Sequence, residues 1–550
     1  MALGEDDSQH AKFAWQNQQI RRNLGTNTAR RQAFRDITPY PGTPCKRATA
    51  ILSDNTTLIT ASLLYNLATC PHRVTMDLFA DPADRDEVSP FVQLLWDRGQ
   101  AHEQTVVAEI ETPVLDLSEY QGAEKEARTL DAMQRGEPLI YNGRISADNL
   151  LGIPDLLRKE PGGYVAGDIK SGAGEEGGSD DEDGKPKKSY AVQLGLYTDI
   201  LERLGKSAGR RGFIWDINRD EVVYDFEALQ GVKNPHRLWD DYQECLSAAR
   251  AIVSRATETR GAYSSACKNC VWYTACLKSL QAADDLTLIF DLGRSKRDVL
   301  IDQVATLHDL AEINPEGFVT DKGKKTVFKG IGPDTLRKLQ ARAALAVTKD
   351  AKPYLRAPVS LPVIECELFF DIEVDPMRDI CYLHGFVERN GGDTAGEKFV
   401  SFFADAPTAD AEEQAFAAAW AYMQGRKPCG IYYYSKYERT LYRKLQAKYP
   451  HVCAADEIET LFASPSTIDL YYDVVFKATE WPTRDYSIKT LAKHLGFKWR
   501  DTHPSGAASI EWFDRWVQTG NIEVKQRILD YNEDDCKATR VLLDGIRAMS

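Results

Sequence analysis

The sequence predicts a multidomain α/β protein, and three observations carry that reading. At 550 residues the chain is too long for one ordinary core, and 43% hydrophobic content is ample for two or three. Strand-like runs dominate residues 139–169, with helical patterns on both sides. A second alternation of strands and helices begins at Val363, after an interval that reads as helix alone.

Residues 1–54 read as a flexible basic arm, because Arg21, Arg22, Arg30, Arg31, Arg35, Lys46 and Arg47 stand among polar residues and prolines. A solubilising tail would have the same composition. The first domain is expected over residues 55–285. It begins with a helix over 61–79 broken at Cys70-Pro71, then a long amphipathic helix over 90–110. Further helices are expected over 190–204 and 235–255. Residues 286–355 are helical and basic in patches, a connecting domain. Residues 356–550 form the second α/β domain, with strands over 368–374 and 431–434. No internal repeat of solenoid period occurs.

Charge and cysteine content narrow the function classes. A net charge of −14, from 68 basic and 82 acidic side chains, argues at first against a nucleic-acid partner. Six of those acids, however, fall in the Gly-, Ser- and Pro-containing segment 174–188, which reads as a solvated loop. No stretch has the apolar length of a membrane span, and Met1 to His10 lack the apolar core of a signal peptide. A cytoplasmic protein without membrane partners is therefore expected. In a reducing compartment, clustered members of the eleven cysteines point to metal ligation rather than disulfides.

The first chemical constellation lies between His102 and Tyr197. Glu160-Pro161-Gly162-Gly163 supplies turn chemistry between two strand-like runs. A turn centred between Pro161 and Gly162 makes Asp155 and Asp168 cross-strand neighbours, about 5 Å apart at Cβ, where they can share one divalent cation. Alternation sends Lys170 to the same face as Asp168, where an ammonium can orient a water or offset charge on a phosphate. Upstream stands Gly99-Gln100-Ala101-His102-Glu103, and downstream Gln193 and Tyr197 share a helical face by their i,i+4 spacing. Together, Gly-x-x-His-Glu, Gly152-Ile153-Pro154-Asp155, Asp168-Ile169-Lys170 and Gln-x-x-x-Tyr resemble the motif series of RecB-like PD-(D/E)XK nucleases. The resemblance implies a restriction-endonuclease-like core, with His102, Asp155 and Asp168 as Mg²⁺ or Mn²⁺ ligands and Lys170 as the catalytic lysine. It implies Gln193 and Tyr197 as substrate-side contacts. The acidic segment after Ser171 departs from the pattern, either as an insertion or as a screen at the site's mouth.

Cys267-x2-Cys270-x5-Cys276 is a tight thiolate cluster, and Cys70, ending a helix before Pro71, offers a fourth ligand. The arrangement is similar to that of AddB-type and CRISPR-adaptation RecB-like exonucleases, which implies a 4Fe-4S centre on Cys70, Cys267, Cys270 and Cys276. Four thiolates so far apart in sequence would clasp the ends of the nuclease domain together. Zinc on the same four thiolates is the competing reading. Cys45, Cys245, Cys366, Cys381, Cys429, Cys453 and Cys536 lack ligand spacing.

In the connector, Phe328-Lys329-Gly330-Ile331-Gly332 precedes a helix over 334–345 and looks like a helix-hairpin-helix element. Backbone N–H groups around Gly330 and Gly332 could then contact nucleic acid, although the same residues would also make an ordinary turn.

Asp371-Ile372-Glu373 opens the last constellation. Strand alternation places both acids on one face and Phe370, Ile372 and Val374 on the other, and two acids on a buried face need a compensating cation. Far downstream, Tyr531 and Asp535 align on one helix. Asp-x-Glu early and Tyr-x-x-x-Asp late look like the first and last motifs of RNase H-like DEDD exonucleases of the tyrosine, YprB type. That resemblance implies two divalent ions on Asp371, Glu373 and Asp535, with Tyr531 positioning the water. The family's middle aspartate is replaced here by Glu438, with Asp469 and Asp473 as alternatives.

Two function classes follow. The chain is either a metal-dependent nuclease that trims nucleic-acid ends, the first domain acting on DNA and the second on a 3′ end of DNA or RNA, or it is a nucleic-acid-binding module in which one or both sites have lost turnover. The complete set of His102, Asp155, Asp168 and Lys170 favours the enzyme, and protein partners are not indicated.

Overall fold

The computed structural model describes residues 52–53, 56–177, 184–231 and 235–549, so the basic arm and Cys45 lie outside the described residues. Ala48–Ser550 make one compact unit.

Helix α1 (Ala61–Thr69) is capped by the Thr60 hydroxyl and stops at Cys70, because Pro71 starts α2 (Pro71–Phe79) as its first residue. Ser89 and Pro90 open α3 (Pro90–Ala108) in the same way. A six-stranded sheet follows, built from β1 (Leu115–Asp116), β2 (Leu139–Tyr141), β3 (Leu156–Glu160), β4 (Gly163–Ile169), β5 (Ser207–Trp215) and β6 (Glu221–Asp225). Its spatial order is β6-β5-β4-β3-β2-β1, with β5 parallel to β4 and β4 antiparallel to β3. Between β4 and β5 runs α4 (Lys188–Arg203), whose Leu194, Leu196 and Ile200 sink into the core beneath the sheet. After β6 comes α5 (Leu238–Val253), and α6 (Tyr273–Ala282) closes the domain.

The acidic segment is not wholly loop. Glu175–Glu176 pair with Lys185–Pro186, and the Tyr224 hydroxyl donates to the Gly174 carbonyl at 2.5 Å, which ties the insertion to β6. Residues 178–183, which hold the remaining acids, lie outside the described residues.

The connector carries α7 (Arg294–Leu300), α8 (Leu307–Glu312) and α9 (Pro333–Val347) around a core of Leu300, Leu310, Phe328, Ile331 and Leu336. The second sheet has order β9-β8-β7-β10-β11, from β7 (Cys366–Asp375), β8 (Ile380–Asn390), β9 (Lys398–Phe403), β10 (Gly430–Tyr433) and β11 (Thr467–Asp469). The first three are antiparallel, and β10 and β11 add on in parallel through crossover helices α10 (Ala409–Gly425) and α11 (Tyr437–Lys448). Helices α12 (Ile488–His494), α13 (Gly506–Thr519) and α14 (Ile522–Arg547) complete the domain. Both faces of β7 are covered, since Phe370 and Ile372 pack with Phe416 and Trp420 while Phe369 packs with Leu542 and Leu543.

The two sheets are bolted together by side chains. Arg98 on α3 pairs with Asp514 on α13, Asp514 accepts from Arg378 at 2.5 Å, and Arg378 also pairs with Asp375 at the end of β7. Tyr263 donates to Asp485 at 3.2 Å. From the connector, buried Arg342 meets buried Glu480 at 2.8 Å, and Phe290 stacks on Tyr486 with centroids 4.0 Å apart. Among the described residues no helix is long and apolar enough to cross a membrane.

Candidate active sites

The β3–β4 hairpin has the register its turn predicts. Leu156 faces Gly167 and Leu157 faces Ala166, with Gly162 at φ +94° in the left-handed region of the turn. One step further along this register Asp155 stands opposite Asp168. The two are interlocked through backbone, since Asp155 N–H donates to Asp168 Oδ1 at 3.3 Å and Ile169 N–H donates to Asp155 Oδ2 at 2.8 Å. Lys170 Nζ lies 2.9 Å from Asp168 Oδ2. Burial, then the neighbouring Asp168 and Glu103 charges, push the Asp155 carboxyl well above its usual value. Burial pulls the Lys170 ammonium down, but Asp168 and Asp155 outweigh it and hold the pKa above its usual value.

On α4, Gln193 Nε2 donates to Tyr197 Oη at 3.1 Å, as i,i+4 spacing requires. A Cβ on Gly152 would come within 2.6 Å of the Tyr197 ring, so the glycine before Ile153-Pro154-Asp155 makes room for the phenol. On α3, His102 has a buried Nε2 with no hydrogen-bond partner. His102, Asp155 and Asp168 do not close into a tight triad, because among the described residues only Asp371, Glu373 and Asp535 bring three ligand atoms within 4.8 Å of one another. Glu103, adjacent to His102 in the same motif, accepts from the Tyr141 hydroxyl at 2.8 Å. It is a further acid at this site that residue type and adjacency could have flagged.

The second site is more compact. Asp371 and Glu373 project from the same face of β7 toward Asp535 on α14. A register shift between Glu373 and Val374 marks a bulge at this point. The extra residue on β8, Tyr382, places its hydroxyl 3.4 Å from Glu373 Oε2 and 2.7 Å from Ser509 Oγ. Asn532 Nδ2 donates to Asp371 Oδ2 at 2.7 Å. Gly385, directly across from Asp371, permits this approach, because a Cβ there would lie 1.6 Å from Asn532 Oδ1. Asp535 is held from two sides, with Trp499 Nε1 2.7 Å from Oδ1 and Lys489 Nζ 3.2 Å from Oδ2. Tyr531 Oη lies 2.7 Å from Lys489 Nζ. Asn532, Trp499 and Lys489 escaped sequence reasoning; only Asn532 carried a signal, by its place inside the Tyr531 to Asp535 string.

Glu438, in the first turn of α11, is buried, and its Oε2 has no hydrogen-bond partner. Burial pushes its pKa up to about 8. Its charge reaches Asp371, yet it stands outside the 4.8 Å triad. The alternatives are engaged elsewhere. Asp469 accepts from the backbone N–H groups of Ser435, Tyr471 and Tyr472, a capping role, and exposed Asp473 pairs with Lys477 at 3.0 Å.

Burial and the Asp535 charge raise Glu373 to about 8, and burial followed by Asp535 and Glu373 raises Asp371 well above its usual value. Carboxyls whose folded pKa exceeds the unfolded value of about 4 contribute stability that is full at low pH and lost as pH climbs through the folded pKa. The metal-free protein is therefore expected to lose melting temperature between about pH 5 and pH 9 at this site. Divalent ions should restore it, because they supply the positive charge that the protons supplied. Melting curves in chelator and in Mg²⁺ check this, and Glu373→Gln should flatten the metal-free slope; an unchanged slope in that variant would assign the pH effect elsewhere.

Cys70, Cys267, Cys270 and Cys276 line one cavity, although they come from the α1–α2 junction, a short turn and α6. Arg294 Nη2 donates to Cys70 Sγ at 3.3 Å. Burial first, then the neighbouring thiols, raise Cys276 to about 11. Cys245, Cys381, Cys429, Cys453 and Cys536 are buried, and Cys366 is half-buried. In the connector, Gly330 at φ +79° and Gly332, the N-cap of α9, are exposed on either side of buried Ile331.

Comparison with protein families finds a match over each of the two regions. Residues 69–277 match the PD-(D/E)XK nuclease superfamily, and residues 368–546 match the RNase_H superfamily. The chain carries a domain of each. Both families generally use divalent metals, which supports a metal-dependent phosphodiester hydrolase with a nucleic-acid substrate. A search of curated proteins returns no match.

Proposed function

We propose that the chain is an exonuclease with two separate phosphodiester-cleaving sites, acting on DNA, with the second site working at 3′ ends. The observation that carries this reading is the gathering of Asp371, Glu373 and Asp535 within 4.8 Å beside Tyr531, the donor set a hard divalent cation takes. Three acids drawn this close together, with Asp371 and Glu373 both pushed above their usual values, are costly in an inert fold and would be compensated by a bound Mg²⁺ or Mn²⁺. Held by Asp371, Glu373 and Asp535, such an ion would polarise the phosphate, Tyr531 would orient the attacking water, and Asn532, which donates to Asp371, would keep that ligand turned inward. In the RecB-like site, Asp155 and Asp168, with His102 as a third ligand, would hold the ion. Lys170 would offset charge on the phosphate, and Gln193 and Tyr197 would contact substrate. Gly330 and Gly332 would meet the nucleic-acid backbone in a helix-hairpin-helix connector.

Cleavage of labelled single- and double-stranded DNA and RNA, in Mg²⁺ or Mn²⁺ and in chelator, tests the function. Metal-dependent shortening from DNA ends is expected. Binding without loss of substrate would make the chain a binding module, and preferential loss of RNA would make it an RNA-processing nuclease.

The cysteine cavity is read as a 4Fe-4S site. All four thiols line one cavity, so they could share one cluster. The cluster would clasp α1–α2 to α6. Freshly purified protein is thus expected to be brown, and Cys270→Ser to bleach it and lower its melting temperature. Colourless protein with stoichiometric zinc, prepared anaerobically, would leave a zinc clasp in its place.

A further inference from the structure

The second site contains a cation of its own. Lys489 Nζ stands 2.7 Å from Tyr531 Oη and 3.2 Å from Asp535 Oδ2, over the Tyr531 ring at 4.9 Å from its centroid. Its placement is built into the fold. Lys489 lies in the first turn of α12, which the Ser487 hydroxyl caps. Ser487 is fixed by Asp485, whose Oδ1 accepts from Ser487 N–H at 3.0 Å and from Ser487 Oγ at 2.7 Å. Asp485 Oδ2 in turn accepts from Tyr263 of the first domain. Trp499 holds the other oxygen of Asp535, so the carboxylate cannot swing away from the lysine.

Resting on the metal-dependent reading of this site, we propose that the Lys489 ammonium occupies the place of a second divalent ion, so that the site works with one metal ion and one fixed lysine. Charge balance supports it. Asp371, Glu373 and Asp535 carry three negative charges when ionised, which one divalent ion and one ammonium neutralise. A second divalent ion would need a fourth acid in reach. Glu438 stands outside the triad, Asp469 caps a helix, and Asp473 is exposed and paired. The lysine also sets the direction of Tyr531. A phenol oxygen that accepts from Lys489 keeps its own proton to give, to Asp535 or to a water on the metal side. The ammonium stands beside the phosphate's developing charge without having to be recruited from solution.

The test counts Mn²⁺ bound to the full-length protein by electron paramagnetic resonance and calorimetry. Wild type is expected to bind one ion more than Asp371→Ala. Lys489→Met should bind Mn²⁺ at this site about 10-fold more tightly, or take up a second ion, while 3′-end cleavage slows by about 100-fold. Tighter metal with slower turnover is a split that simple unfolding would not produce, and Lys489→Arg should recover part of the rate. A difference of two ions between wild type and Asp371→Ala overturns the proposal even if Lys489→Met does not fold. So does unchanged turnover in Lys489→Met. A difference of no ions overturns the metal-dependent reading itself, and the lysine's role with it.

Discussion

Asp371→Ala is expected to abolish cleavage by the RNase H-like site while leaving the PD-(D/E)XK site running. Asp371 is one of three acids gathered within 4.8 Å, and the other two cannot replace its position opposite Gly385. Loss of a shared ligand removes the ion as well as an oxygen, so the effect should exceed the 10²- to 10³-fold cost of deleting one transition-state contact. The substitution should not unfold the domain. Burial and neighbouring charges already oppose ionisation of Asp371, so removing it relieves the metal-free fold. Melting temperature in chelator should hold or rise. Mn²⁺ titration and mapped product ends check the claim; a variant that still trims 3′ ends would show that the triad is not the catalytic centre.

How much of this was legible in the sequence depends on whether a feature is local. The Asp155–Asp168 pairing was legible because Pro161-Gly162 fixes one turn, and one turn fixes a hairpin register. Asp371 and Glu373 shared a face for the same reason, since a strand has a period of two. Helix spacing likewise predicted Gln193 with Tyr197 and Tyr531 with Asp535. Lys489 and Trp499 were hidden because their meaning comes from how α12 and the segment after it pack against α14, which no local period encodes. The same holds for Glu438: its position after an aromatic run was visible, and its distance from the triad was not. Glu103 adjoins His102 in the same motif, and a helix pattern does not say which of two adjacent residues turns toward a strand pair. The Arg98–Asp514–Arg378–Asp375 chain joins residues hundreds of positions apart. Composition even misdirected, since net charge argued against the nucleic-acid partner that both domain families imply.

Lys170→Ala is expected to slow the PD-(D/E)XK site by about 10²- to 10³-fold, as for loss of one transition-state contact. Metal binding there should survive, because Asp155 and Asp168 remain and lose a competing positive charge 2.9 Å away. The two sites sit on different sheets, so wild type, Lys170→Ala, Asp371→Ala and the double variant should separate two product patterns on DNA and RNA. Additivity is the sharper measure. Arg98 lies one turn before His102 and pairs with Asp514, and that network ends at Asp375, two residues beyond Glu373. Independent sites give a double variant whose losses multiply; a shared network gives one that departs from the product, and Asp514→Asn should then reproduce the departure. If Lys170→Ala alone erases every product, the C-terminal domain is a binding scaffold for the first. If Asp371→Ala alone does so, the PD-(D/E)XK domain is the passenger, and its lysine and acids hold nucleic acid without cutting it.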